Sequence, residues 1–162
     1  PWRDRAGEVP PMIILQDDRE KLPFDFSAFP DVTIEETRLE TGDYTTPDLE
    51  GIAAVERKSL EDLAGSLGSG RKNFEAEVKR AGSLMDFVVV IESPRHLVQH
   101  YVDTGSKRCP HYYCNTYPKT ITSTVDSWRK RYNVDFNWYP DKTYAALATY
   151  DYLCKWEREY VY

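Results

Sequence analysis

Residues 42–62 read GDYTTPDLEGIAAVERKSLED, and within them Asp43, Glu56, Arg57, Lys58 and Asp62 surround the apolar run 52–55. Charges that interrupt a buried run are costly unless something pairs them, so the segment is either solvated or builds a site. Two acidic side chains, one from a short strand and one from the end of the next, can converge on a divalent cation, because Mg²⁺ takes hard oxygen ligands and keeps several waters. Asp43 and Glu56 have that placement. Side chains alternate along a strand, so Lys58 points to the same face as Glu56. Its ammonium could orient an attacking water and offset charge developing on a phosphate. Arg57 falls on the opposite face unless the strand ends or twists there, which leaves a phosphate clamp and a brace for the site both open. On these three letters alone, a solvated strand terminus is the plain alternative.

The elements that must position these residues follow from periodicity. MIILQ (12–16) is a short apolar strand and VTIEETRL (32–39) alternates as a half-exposed one. DYTTP is brief and turn-bounded, while IAAVERK (52–58) runs from apolar to charged, as a central strand does when its end opens into a site. These four are expected to form a small sheet. Ser59 offers an N-cap with Asp62 three residues on, and Leu60, Leu63 and Leu67 recur at helical spacing. Gly68, Ser69 and Gly70 interrupt that helix, after which RKNFEAEVKRAGSLM resumes with Phe74, Val78 and Ala81 along one side. FVVVI (87–91) reads as a buried strand, and PRHLVQHYV as a helix with Pro94 in its first turn. TITSTVDSWRKRY is a further helix with Ile121, Val125 and Trp128 on one face, VDFNWY a strand, and residues 142–160 a long amphipathic helix. The order is mixed α/β.

A chain of 162 residues, 41% hydrophobic and 14% aromatic, is the size of one domain with a respectable core. Residues 1–11, PWRDRAGEVPP, mix charge, Gly and Pro without a period, so an extended arm or an expression remnant is expected there, with the domain spanning 12–162. The formal charge of −6 argues against holding nucleic acid by a general basic surface and leaves room for a local basic face. Cys109, Cys114 and Cys154 are an odd number without a signal-peptide pattern or a long apolar span, which suits a reduced, cytoplasmic protein with no membrane partner.

The segment Gly42-Asp43-Tyr44, then Glu56-Arg57-Lys58, then Asp62 resembles the GDY…ERK…D signature of XPF-type structure-specific endonuclease domains, with no position substituted. That family is a branch of the restriction-endonuclease-like, PD-(D/E)xK fold. Upstream, LQDDRE is similar to the family's first strand and its Asp-x-Arg-Glu turn, which matches Asp17, Arg19 and Glu20. Downstream, SLEDLAGSLGSGR resembles the family's helix, glycine turn and Arg71, and TITSTVDSWRKRYNVDFNW with the small-residue helix after it resembles the closing helix, strand and helix. The pieces cover residues 12 to 157 in the family's order, which makes chance agreement a poor explanation.

The resemblance implies a single α/β domain whose mixed central sheet is flanked by helices. It implies hydrolysis of DNA phosphodiesters with Mg²⁺ or Mn²⁺, near a branch, flap or nick, in DNA repair or recombination. It assigns metal binding chiefly to Asp43 and Glu56, with Asp17 reaching the metal through water, and it gives Lys58 the water to hold. Glu20 and Asp62 then steady the groups around the metal, with a cap as the simpler role for Asp62. Arg19 and Arg71, with Lys72 beside Arg71, become candidate DNA contacts, with surface ion pairs as the alternative for the arginines. Tyr44 belongs to the supporting set.

In many relatives tandem helix-hairpin-helix motifs follow this domain. The sequence ends at Tyr162 without them, so a standalone enzyme of bacteriophage type is the expected context, DNA-associated in the cytoplasm of a bacterium or in the nucleus of a eukaryote. A homodimer or a partner protein is expected as well, because family members pair through their late helices, and Tyr144, Leu147, Tyr150, Leu153 and Trp156 could line either the core or such a face. An acidic chain approaching a polyanion needs a local cluster such as Arg57, Lys58, Arg71, Lys72, Lys79 and Arg80, although Lys79 and Arg80 suit a solvated helix face equally well. Arg129, Lys130 and Arg131 sit at a helix end, where the helix dipole alone favours cations. CPHYYC (109–114) with His100 has nonstandard zinc spacing, and an irregular Tyr-rich loop is the expected reading of 103–119. Two other functions compete. One is a non-catalytic DNA-binding or dimer-partner subunit, which would typically have lost the motif carboxylates or lysine. The other is a sequence-specific restriction enzyme, which would need base-reading loops.

Overall fold

The structure, a computed structural model, describes residues 10–108 and 116–161. One sheet of six strands runs β2-β1-β3-β4-β5-β6, built from β1 (Met12–Asp17), β2 (Val32–Thr37), β3 (Tyr44–Thr45), β4 (Ala53–Lys58), β5 (Asp86–Ile91) and β6 (Asp135–Trp138). The four early strands are therefore not a small sheet of their own, since β5 and β6 extend it. β1 pairs β2 in parallel, β3 is antiparallel to both β1 and β4, and β4, β5 and β6 run parallel. Five helices flank the sheet: α1 (Leu60–Leu67), α2 (Arg71–Ala81), α3 (Arg95–Asp103), α4 (Pro118–Tyr132) and α5 (Lys142–Tyr160).

The two-residue period of the strands divides the core. On one face Ala54, Phe87, Val89 and Ile91 pack against Leu63, Phe74, Val78, Ile121 and Trp128 of α1, α2 and α4. On the other, Ile14, Tyr44, Val55, Val88 and Val90 pack against Ala145, Tyr150 and Leu153 of α5, with Phe24 and Phe26 from the connection after β1. The late-helix residues split accordingly. Tyr150 and Leu153 are buried in the core, Trp156 packs partly against it, and Tyr144 and Leu147 are exposed.

Boundaries differ from the periodicity where a polar contact intervenes. β2 stops at Thr37 because the Leu39 N–H donates to Asp17 Oδ2 and the Arg38 side chain pairs with Asp18. β4 starts at Ala53, since the Ile52 carbonyl already receives the Met85 and Asp86 N–H groups. Pro94 caps α3 from outside its first turn, and α4 begins two residues earlier than expected, with Pro118 at its start. Asp141 caps α5 by accepting the Tyr144 N–H at 3.0 Å. No helix among the described residues is long and apolar enough to cross a membrane.

Candidate active site

β4 carries the opening motif out of the core. Its register sets Glu56 beside Val89 and Lys58 beside Ile91, so both project toward α2 while Arg57 projects to the face of Phe24. Lys58 Nζ lies 3.2 Å from Glu56 Oε1 and 4.6 Å from the centre of the Phe74 ring. Asp43 sits in the turn just ahead of β3. Its N–H donates to the Val55 carbonyl and its own carbonyl accepts the Asp17 N–H, both at 2.8 Å, so its backbone is pinned between β4 and β1. Its carboxylate then accepts the Arg57 N–H at 2.8 Å. The turn depends on Gly42 at φ +79°, where a Cβ would stand 3.0 Å from the Val55 carbonyl and 3.1 Å from Ala54 Cβ.

These groups open on a cleft of about 310 Å³ lined by seven carboxylates (Asp17, Glu20, Glu40, Asp43, Glu56, Asp62, Glu77) and four cations (Arg19, Arg57, Lys58, Arg80). The excess of negative charge is held at a cost. Burial and the charge of Glu20 push the Asp43 carboxyl up to about 6, against the Arg57 N–H and the Lys58 ammonium that favour its ionised form. Burial and the nearby Asp43 push Glu56 well above the usual carboxylate range. Burial works against the charge of Lys58, and the carboxylates of Glu56 and Glu77 outweigh it, so the ammonium is kept. Two buried carboxylates that resist ionisation side by side form a donor set suited to a hard divalent cation, which would relieve their repulsion.

Asp17 lines the same cleft with its carboxylate engaged by other partners. Arg19 Nε and Nη2 fork onto its two oxygens at 2.8 Å, and the N–H groups of Arg19 and Leu39 donate to the same carboxylate at 2.9 Å. These bonds outweigh burial and hold it below the usual carboxylate range. Among the described residues no three His, Cys, Asp or Glu side chains gather as a metal cluster, and a route from Asp17 to a metal through water would start from a carboxylate already bonded to Arg19 and Leu39. Arg57 is a brace. Its guanidinium is almost fully buried, forked onto Glu92 at 2.5 and 3.1 Å and bonded to Glu20 at 3.1 Å, so it is not placed to clamp a phosphate. Glu20 is thereby tied to Arg57 and to the Leu22 N–H.

Arg71 is turned away from the cleft, donating to Thr124 Oγ1 at 2.9 Å with its guanidinium 5.2 Å from the Trp128 ring centre, which removes it as a phosphate contact there. Lys72 is exposed and outside the cleft lining. Lys79 leans on Tyr132. Tyr44 is buried, and its hydroxyl accepts the Phe24 N–H at 2.8 Å, a purely supporting contact. Asp62 stands exposed at the cleft rim, and the cap of α1 is Ser59, whose hydroxyl accepts the Asp62 N–H at 3.1 Å. Arg19 lines the rim with its charge engaged by Asp17. The zinc reading of Cys109, His111 and Cys114 lies outside the described residues, as does most of the 1–11 arm.

Glu40, Glu77 and Glu92 were not singled out from the sequence as site residues, and Arg80, one of the expected basic cluster, is the one of its helix pair with Lys79 that lines the cleft. Glu77 was visible as the residue before buried Val78, one turn beyond buried Phe74, hence on the shoulder of the core-facing stripe. Glu92 directly follows the buried strand that ends level with Lys58. Glu40 gives no comparable signal.

A mixed six-stranded sheet with helices on both faces and an acidic cleft at the end of a central strand defines an XPF-type nuclease-domain fold. The ERCC4 domain model matches residues 16–151, and the chain belongs to that family. Among solved structures it is similar to XPF from Aeropyrum pernix in complex with DNA, at 18% identity and a TM-score of 0.66 over 91% of this chain and 66% of that one. It is also similar to a second structure of XPF from Aeropyrum pernix, at 19% identity and 0.65, over 87% and 59%. The chain thus spans 66% or less of the length of those solved chains. No curated protein matches the sequence.

Proposed function

We propose that this domain is a Mg²⁺- or Mn²⁺-dependent DNA endonuclease that hydrolyses phosphodiester bonds in branched, flapped or nicked DNA. The observation that carries the reading is the convergence of Asp43, Glu56 and Lys58 on one cleft, with the pKa of both carboxylates raised by burial. Membership of the ERCC4 domain family, whose XPF-type nucleases generally use divalent metals, supports the same chemistry.

Asp43 and Glu56 would hold the ion, which supplies a Lewis acid for the phosphate and a lowered pKa for a coordinated water. The chain's own residues do the rest. Asp43 is set by three backbone contacts, and Arg57, locked by Glu20 and Glu92, fixes the strand whose N–H holds the Asp43 carboxylate. Lys58 keeps its ammonium beside Glu56, where it can donate hydrogen bonds to the incoming water and to the phosphate as its oxygens gain charge. Water oxygen bonds to phosphorus and gives up a proton to solvent, the far P–O bond breaks, and the departing oxygen takes a proton from solvent to leave as a hydroxyl. A homodimer working on DNA inside the cell belongs to the same reading, with exposed Tyr144 and Leu147 of α5 as its candidate contact.

The test incubates wild type and Glu56→Gln with labelled linear, nicked, flapped and forked DNA in Mg²⁺, Mn²⁺ or EDTA. Metal-dependent cutting that disappears in the variant is expected, with branched substrates cut first. Binding without cutting under every condition would replace the nuclease by a scaffold subunit, and cutting at one defined duplex sequence would replace it by a restriction enzyme. Sedimentation at rising concentration reads the dimer, and a monomer throughout removes it.

A further inference from the structure

Three of the four cations lining the cleft are already engaged: Arg19 by Asp17, Arg57 by Glu20 and Glu92, and Lys58 by Glu56. Arg80 lines the same cleft, is exposed, and has no hydrogen-bond or ion-pair partner for its guanidinium among the described residues. Its backbone is nonetheless fixed. The Arg80 carbonyl accepts the Ser83 N–H at 3.2 Å and the Ser83 hydroxyl at 3.0 Å, closing the last turn of α2. Glu77, one turn earlier, lines the cleft too, so this side of α2 faces the site. Arg80 and Glu40 also border an adjoining groove of about 150 Å³ that reaches Leu84 and Gly51.

We propose that Arg80 holds the phosphate backbone of the DNA strand at the cleft mouth, an inference that rests on the nuclease reading above. A polyanion entering a site with seven carboxylates must meet a cation whose charge is not already neutralised, and Arg80 is the one that qualifies among the lining residues. A guanidinium offers two parallel N–H donors to phosphate oxygens and fixes position without reading a base. The helix dipole alone favours a cation in the last turn. Lys130, in the last turn of α4, has that setting without the cleft and serves as the control.

Binding of a labelled forked duplex is measured in the non-cleaving Glu56→Gln background in Mg²⁺ across a salt series. Arg80→Gln is expected to weaken binding by about tenfold and to flatten the log–log salt dependence by about one. Arg80→Lys should restore the salt dependence and part of the affinity, while Lys130→Gln leaves the slope in place. Because Arg80 is exposed and its guanidinium makes no hydrogen bond or ion pair among the described residues, its loss does not threaten the fold. If Arg80→Gln tracks Lys130→Gln while wild type still cuts DNA, this inference is overturned and the nuclease reading stands. A wild type that neither binds nor cuts any of the DNAs overturns both.

Discussion

Asp43→Asn should make the metal-free protein more stable while removing its activity. The Asp43 carboxyl rises from 3.8 to about 6 in the folded chain, chiefly through burial. Between about pH 4 and pH 6 the folded state therefore binds more protons than the unfolded state, so stability falls as pH rises through that window and stays lower above it. The whole rise corresponds to about 3 kcal/mol as a ceiling. Asparagine keeps the oxygen that accepts the Arg57 N–H and carries no charge to desolvate. Urea unfolding in EDTA should show Asp43→Asn stabilised by about 1–3 kcal/mol at pH 8 and by almost nothing at pH 4. Thermal midpoints at pH 8 should rise by roughly 3–10 °C for a domain of this size. Adding Mg²⁺ should reverse the order, since the ion stabilises only the wild type that binds it. Equal or lower stability of the variant at pH 8 would refute the claim that this carboxylate is held at a cost to the fold.

Two further outcomes follow from the geometry around it. Gly42→Ala should cost about 1–3 kcal/mol and depress cleavage, because a Cβ at φ +79° meets the Val55 carbonyl and the turn that places Asp43 must shift; chemical unfolding and turnover check both. Glu92→Ala should cost about 3 kcal/mol by leaving a buried guanidinium with Glu20 as its remaining carboxylate, and activity should fall with it, because Arg57 steadies the strand whose N–H holds Asp43; a melting curve that matches wild type would show Arg57 needs no such partner.

The motif was legible because its elements obey local rules. Alternation along residues 52–58 put Glu56 and Lys58 on one face and Arg57 on the other, and the structure has that arrangement. Ser59 opening a helix, the glycine break at 68–70, the Phe74, Val78 and Ala81 stripe and the long closing helix are also properties of neighbouring residues, and each is present. Arg57 shows where such rules stop. Its face could be read from the strand period, but whether it clamps a phosphate or braces the fold depended on Glu20 and Glu92, which lie 37 and 35 residues away along the chain.

What the sequence determined by itself was the set of elements and the side on which each charged residue of β4 would emerge. Only the tertiary structure decided which carboxylates share a cleft and which are neutralised. Asp17 was engaged by Arg19 and by the N–H of Leu39, and Arg71 was drawn to α4 by Thr124 and Trp128. Glu77 and Arg80 were brought in because α2 packs its Phe74 and Val78 against the sheet beside β4. The physical reason is one of range. Hydrogen bonding and side-chain alternation act between neighbours and are written in local order, whereas desolvation and charge pairing depend on distances that exist only after the two core layers have closed on the sheet.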